Sequence, residues 1–311
     1  MQRIKGVAEP LFILAPPRSF TTVVCAMIGQ HPQMLGLPET NLFARDSYVE
    51  LQEMYRKLSR LQHGLLRSVA QLGLGAQSAE NVEVAKRWLC SHARDSTATL
   101  FNDLAAWALP HRLVDKSPLH VYNRDNLARI RRAFPNAFYL HLTRHPRGTC
   151  ESMYALRQRV QKPRPRGGSL NELDADPGMG ARRGAIDPEL VWLSPHRTIV
   201  DFLKAVPPAR QMRVRGEELL ADPDTHLARI AAWLGIADDP TAIERMKHPE
   251  DSPFACFGPP NARFGDDPNF LEKPWLRPYQ HKTQDLEGSL SWDTQLGFSS
   301  MVKEWAQRFG Y

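Results

Sequence analysis

The chain's architecture turns on the stretch Leu11-Phe-Ile-Leu-Ala-Pro-Pro-Arg-Ser-Phe-Thr-Thr22. Leu11–Ala15 is a short apolar run with no polar interruption, the pattern of a strand buried on both faces. It breaks at Pro16 and Pro17, which cannot donate to a sheet ladder. From Thr21 to about Gln30, Val24, Met27 and Ile28 share one helical face, and His31-Pro32 ends the helix. Between strand and helix stand Arg18, Ser19, Thr21 and Thr22. A turn of this kind aims backbone N–H groups, hydroxyls and one permanent positive charge at a single point, which suits a phosphate-like anion. The Gly-Lys-Ser/Thr ending of an ATP-type loop is missing. As bare structure, the same residues would be an N-capped helix beside a solvent-facing arginine.

Composition bounds the rest. A chain of 311 residues accommodates one large α/β domain or two smaller ones, and 42% hydrophobic residues suffice for a sizeable core. The longest apolar runs are too short to span a membrane, and Met1–Ala8 lacks the long apolar core of a secretory signal. A soluble, cytoplasmic protein is expected. Cys25, Cys90, Cys150 and Cys256 are scattered and have no histidine cluster beside them, so neither a disulfide framework nor a metal is expected. The net charge of +6 suits an anionic ligand. Without a nucleic-acid motif, nucleic acid is not an expected partner.

Strand and helix signals alternate along the chain. Residues 42–110 read mostly as helix, interrupted near Gly73–Asn81. Arg112–Asp115 reads as a strand and Tyr122–Phe134 as a helix. Ala137–Thr143 reads as a second clear strand, followed by Arg144-His-Pro and a helix opening at Pro146, where a missing N–H costs nothing. Residues 160–188 collect prolines, glycines and charge, including part of a basic cluster from Arg157 to Arg166. They read as a long lid-like loop or a plain insertion. A helix near Pro188–Lys204, a strand Gln211–Arg215, a helix Pro223–Leu234 closed by Gly235 and an amphipathic helix Ser299–Phe309 follow. The alternation predicts an α/β fold: a short parallel β-sheet flanked by helices on both faces, in one P-loop-like domain over residues 1–311.

Pro17-Arg18-Ser19-Phe20-Thr21-Thr22 resembles the 5′-phosphosulfate loop, P-R-S-G-T-T, of sulfotransferases that use 3′-phosphoadenosine-5′-phosphosulfate (PAPS), with Phe20 at the usual glycine. The resemblance extends from residue 11 to about residue 275. It implies that Arg18, Ser19, Phe20, Thr21 and Thr22 surround the 5′ end of the nucleotide. It also implies that Arg144, with Ser152 eight residues later, binds the 3′-phosphate. Gly36-Leu-Pro-Glu-Thr40 is similar to the segment that delivers a glutamate base in tyrosylprotein sulfotransferases and related bacterial enzymes. This makes Glu39 the implied acceptor of the substrate proton. Val114-Asp-Lys-Ser-Pro118 implies that Lys116 meets the sulfuryl group and, with Arg18, steadies the departing phosphate. Read as plain structure, Glu39 would cap the next helix, Asp115–Lys116 would be a surface pair, and Arg144 and Ser152 would be incidental.

Weaker signals complete the set. Val214-Arg-Gly-Glu-Glu-Leu resembles a family segment that usually reads R-Y-E-D-L, with Gly216 at the customary aromatic. Arg263, in the polar stretch Asn261–Phe270, is a candidate phosphate ligand. Cytosolic aryl and steroid sulfotransferases use a histidine base, so His196 and His248 are candidate substrate-site residues. The implied reaction moves a sulfuryl group from PAPS to a hydroxyl or amine and releases adenosine 3′,5′-bisphosphate. The acceptor would be a small molecule, lipid, glycan or carrier-bound chain, as in bacterial small-molecule enzymes of secondary metabolism. A non-catalytic protein that binds adenosine 3′,5′-bisphosphate and a kinase on the same fold stand as alternatives. The kinase lacks its loop lysine here.

Overall fold

The computed structural model describes residues 7–161, 187–277 and 285–311. The lid-like reading of 160–188 falls almost wholly outside the described residues. Five strands form one parallel sheet: β1 (Leu11–Leu14), β2 (Met34–Gly36), β3 (Arg112–Asp115), β4 (Phe138–Thr143) and β5 (Gln211–Arg215), in the order β2-β3-β1-β4-β5. The helices are α1 (Thr21–Gly29), α2 (Tyr48–Lys57), α3 (His63–Leu74), α4 (Ala79–Ser91), α5 (Thr97–Trp107), α6 (Arg124–Ala133), α7 (Pro146–Gln161), α8 (Pro188–Leu203), α9 (Gly216–Ala221), α10 (Pro223–Leu234), α11 (Pro240–Met246), α12 (Pro268–Glu272) and α13 (Ser300–Arg308).

Side chains of β1 alternate between two cores because successive strand residues point to opposite faces. Phe12 and Leu14 pack with Phe43, Leu66, Phe101, Leu127 and Tyr139, under α2–α6 and part of α8. Leu11 and Ile13 pack with Val24, Met27, Ile28, Leu227 and Ile230, under α1, α10 and α11. All four β1 side chains are buried, which is why this strand reads as an unbroken apolar run. Helices therefore cover both faces of the sheet, as the alternation predicts.

The topology decides where a ligand binds. The chain leaves β1 towards β2 and β3 on one side, then crosses to β4 and β5 on the other. Loops at the carboxyl ends of β3, β1 and β4 diverge there, and the crevice between them is the usual binding place in an open α/β sheet. The loops that emerge are 15–20 after β1, Lys116 and Ser117 after β3, and Arg144 and His145 after β4.

Candidate functional site

The loop after β1 turns through two residues with left-handed backbone, Arg18 (φ 64°) and Phe20 (φ 63°). The reversal points the first turn of α1 at the crevice. Arg18 spreads its guanidinium across the loops. Its Nε donates to Ser152 Oγ at 3.0 Å, and its Nη1 meets Asp267 Oδ2 at 2.7 Å. β1 and β4 are neighbours in register, so Arg144, just past β4, reaches the same loop. Its Nη1 donates to the Arg18 carbonyl at 2.5 Å. The Arg144 guanidinium also lies 4.2 Å from the centroid of the Phe20 ring. Trp192 Nε1 fixes the backbone from behind by donating to the Arg144 carbonyl at 2.9 Å. Ser19 Oγ is buried and makes no hydrogen bond, so the loop holds a polar atom that a ligand oxygen would satisfy. Arg18, Arg144 and Ser152, separated in sequence, are thus assembled in one place.

The second half of the site grows from β3. Asp115 at its end is buried and turns inward, accepting from Thr40 Oγ1 at 2.6 Å and from the Ser117 backbone at 2.8 Å. Ser117 Oγ in turn accepts from the Asn41 backbone at 2.9 Å. These bonds anchor the turn that carries Glu39 to the end of β3. Glu39 is clamped on two more sides. Its backbone N–H donates to the Gly265 carbonyl at 2.7 Å. Gly64 of α3 presses so closely that a Cβ there would lie 2.1 Å from the Glu39 carbonyl oxygen. Only glycine permits that approach.

Lys116 is the hub. It is 1% exposed; its Nζ donates to Thr22 Oγ1 at 2.9 Å and to Glu39 Oε1 at 2.8 Å, and forms an ion pair with Asp266. Burial opposes the ammonium charge, but Asp266 and Glu39 together outweigh it and hold the Lys116 pKa above its ordinary value. Burial pushes the Asp266 carboxyl up to about 6; Lys116 pulls it down and Glu39 adds to the rise. The surface-pair reading of Asp115–Lys116 is overturned, because both are buried and face different partners. Glu39 caps no helix: the turn at Leu42–Ala44 follows Asn41, and at the start of α2 the Ser47 N–H donates to Glu50.

Both halves line one cleft of about 550 Å³, bordered by Arg18, Phe20, Thr21, Thr22, Glu39, Arg144 and Ser152. Lys116 is not itself a lining residue; buried behind the wall, it reaches the cleft through Thr22 and Glu39. The cleft also holds residues that sequence reasoning missed: Arg60, Phe264, Asp266, Asp267, Lys273, Trp275 and Arg277. The stretch Asn261–Phe270 carried the available signal, but it pointed to the wrong side chain. Arg263 is exposed, rests against the Phe257 and Phe264 rings and does not line the cleft. Asp266 and Asp267 reach the two cations instead. Acidic residues run against the expectation for an anion site, and only the folded chain shows what they touch.

The two histidines are not brought to the cleft. His196 is fully buried, 2.9 Å from His141 and packed among Trp192 and Phe309; burial, aided by Arg213, lowers its pKa to about 3. Its place is structural, since an apolar cage favours the neutral ring. His248 is exposed and pairs with Glu250 at 3.0 Å on the surface. Among the described residues, no group of three or more His, Cys, Asp or Glu side chains is placed to hold a metal ion, and no helix is long and apolar enough to cross a membrane.

Comparisons with known proteins bear on the family and the fold. A model of the sulfotransferase family matches residues 10–240. No curated protein matches the sequence. Among solved structures, the sulfotransferase domain from the curacin biosynthetic pathway is similar with a TM-score of 0.73 at 23% identity, covering 100% of this chain and 99% of that one. The sulfotransferase domain from the Synechococcus PCC 7002 olefin synthase is similar with a TM-score of 0.71 at 24% identity, covering 100% and 99%. At these identities the likeness establishes the fold, while the family match spans most of the chain and includes the β1 loop, Glu39, Lys116 and Arg144. By that match this chain belongs to the sulfotransferase family.

Proposed function

We propose that the protein transfers a sulfuryl group from PAPS to a hydroxyl or amine, with Glu39 as general base. The observation that carries this reading is the meeting of Lys116 with Glu39 and with Thr22 of the β1 loop. A carboxylate and a buried cation thereby stand at the edge of the turn after β1, which supports a base and an anion site there. The nucleotide's 5′ end would take the β1 loop with Ser19, Thr21 and Thr22, and its 3′-phosphate would take Arg144 and Ser152. The acceptor would enter beside Glu39, Asn41, Arg60 and Leu61, which line the other part of the cleft.

In the reaction the acceptor oxygen or nitrogen attacks sulfur in line. The bond from sulfur to the bridging phosphate oxygen breaks, and Glu39 takes the acceptor's proton. Negative charge gathers on the departing phosphate, where Lys116 and Arg18 offset it. Fixed cations in a buried place lower the barrier because they need no reorganisation as the charge develops. Both cations also carry carboxylates: Asp266 on Lys116 and Asp267 on Arg18. That the two similar domains come from the curacin biosynthetic pathway and an olefin synthase supports a metabolite or carrier-bound acceptor.

The test pairs binding with turnover. Adenosine 3′,5′-bisphosphate should raise the melting temperature where ATP with magnesium does not. Radiolabelled PAPS should pass its sulfur to a member of a metabolite and acyl-carrier panel. Stabilisation by ATP with magnesium alone would overturn the reading.

A further inference from the structure

Phe20 occupies a position that ought to reject it. Its φ of 63° lies in the left-handed region, where glycine rests freely and a bulky L-residue is strained. Such strain persists only where the surroundings impose it. The surroundings are visible at Gly216, the first residue of α9. A Cβ added there would lie 2.6 Å from Phe20 Cδ2 and 3.3 Å from the Thr143 carbonyl oxygen. The Phe20 ring therefore fills the room that a side chain at 216 would need. A ring stands where the backbone favours glycine, and a glycine stands where a side chain would collide with that ring.

The ring also has work at its other face. The Arg144 guanidinium sits over it at 4.2 Å, while Arg144 Nη1 donates to the Arg18 carbonyl. A planar cation over an aromatic face is attracted by the ring quadrupole, more strongly where water is partly excluded. Phe20 and Arg144 are both half-buried and both line the cleft.

We propose that Phe20 is a positioning residue for Arg144. Its ring, seated in the gap beside Gly216, holds the guanidinium flat against the β1 loop and aimed at a phosphate on the nucleotide's 3′ side. This rests on the reading of Arg144 as the 3′-phosphate ligand. The ring acts through Arg144 and touches no reacting atom. Its effect therefore falls more heavily on ligands that carry that phosphate. A ring that merely filled space beside α1 would affect every nucleotide alike.

The experiment measures dissociation constants by calorimetry for adenosine 3′,5′-bisphosphate and for adenosine 5′-monophosphate, which lacks the 3′-phosphate. It uses the parent chain, Arg144→Ala, Phe20→Leu, Phe20→Gly and the exchange Phe20→Gly/Gly216→Tyr. Phe20→Leu keeps the left-handed strain and most of the apolar bulk but removes the quadrupole. It should weaken the bisphosphate by about 3- to 30-fold more than it weakens the monophosphate. Phe20→Gly should lose the same preference, and the exchange should restore most of it by presenting a ring from the opposite loop. Thermal unfolding of each variant separates lost aim from lost fold. Equal weakening of both nucleotides in Phe20→Leu, or no recovery in the exchange, overturns the proposal. If Arg144→Ala abolishes the preference while Phe20→Leu retains it, the role of the ring alone is wrong. If the parent itself shows no preference for the 3′-phosphate, the reading of Arg144 fails first.

Discussion

Replacing Lys116 with methionine probes the centre of the site. The substitution keeps the length of the side chain and removes its charge. Each carboxylate loses an ammonium at hydrogen-bond distance, which for Glu39 is 2.8 Å. At an effective dielectric of about 20, a pair at that spacing carries about 6 kcal/mol of gross attraction. Desolvation of the buried ions offsets much of this. Removing one partner of a buried pair nonetheless costs about 3–5 kcal/mol, because the other charge is left uncompensated. Here Asp266 and Glu39 would face each other with no cation between them. The loss depends on pH, and the dependence belongs to Asp266. Its folded pKa of about 6 lies above its ordinary 3.8, so the fold favours its protonated form and stability in the parent falls as pH rises from about 4 to 6. Lys116 has a raised pKa and contributes fully everywhere below its ordinary 10.5. In Lys116→Met, protonation of Asp266 relieves the repulsion. Urea unfolding should therefore show a loss of about 3–5 kcal/mol at pH 8, and roughly half that at pH 5. A loss under about 1 kcal/mol that does not change between the two pH values would refute the buried-hub account. Turnover, assayed with radiolabelled PAPS, should fall by about 100-fold or more.

Four further outcomes follow from the same geometry. Glu39→Gln should keep adenosine 3′,5′-bisphosphate affinity within a fewfold and lower kcat by about 100-fold or more, read by calorimetry beside a transfer assay. Arg144→Ala should weaken the same nucleotide by about 10-fold or more, since a charge-assisted hydrogen bond is lost; unchanged affinity would remove Arg144 from the site. Asp267→Asn should tighten nucleotide binding by about 2- to 5-fold by freeing Arg18 from a partly exposed pair, a gain that high salt would erase. Gly64→Ala drives a methyl into the Glu39 carbonyl and should reduce kcat with little change in nucleotide affinity, although residue 64 touches neither substrate.

Much of the scaffold was legible because local chemistry and global fold agree. β3 and β5 fall at the residues that their patterns mark, and α10 ends at Gly235, whose φ of 66° is the left-handed cap expected there. The first strand announces itself because it is covered on both faces. The short helices α9, α11 and α12 escaped notice: at five to seven residues they span too few turns for a periodic signal. The family resemblance named Arg18, Glu39, Lys116, Arg144 and Ser152, and the fold gathers them beside the strand ends around the cleft; their roles belong to the proposed function. The histidines and Arg263 lie away from the cleft, since residue type alone carries no position.

The order of residues was enough to specify an alternating α/β chain that opens on a strand, a proline-broken turn and a helix. Those features are written in periodicity, proline breaks and short spacings, which act within a few residues of themselves. Contacts across the sheet are another matter. That Asp266 shares Lys116 with Glu39, that Gly64 and Gly265 grip the Glu39 backbone, and that the Phe20 ring takes the room beside Gly216 all depend on segments far apart in the chain. Only close packing of the folded molecule brings such groups within ångströms of one another, and no local pattern records it.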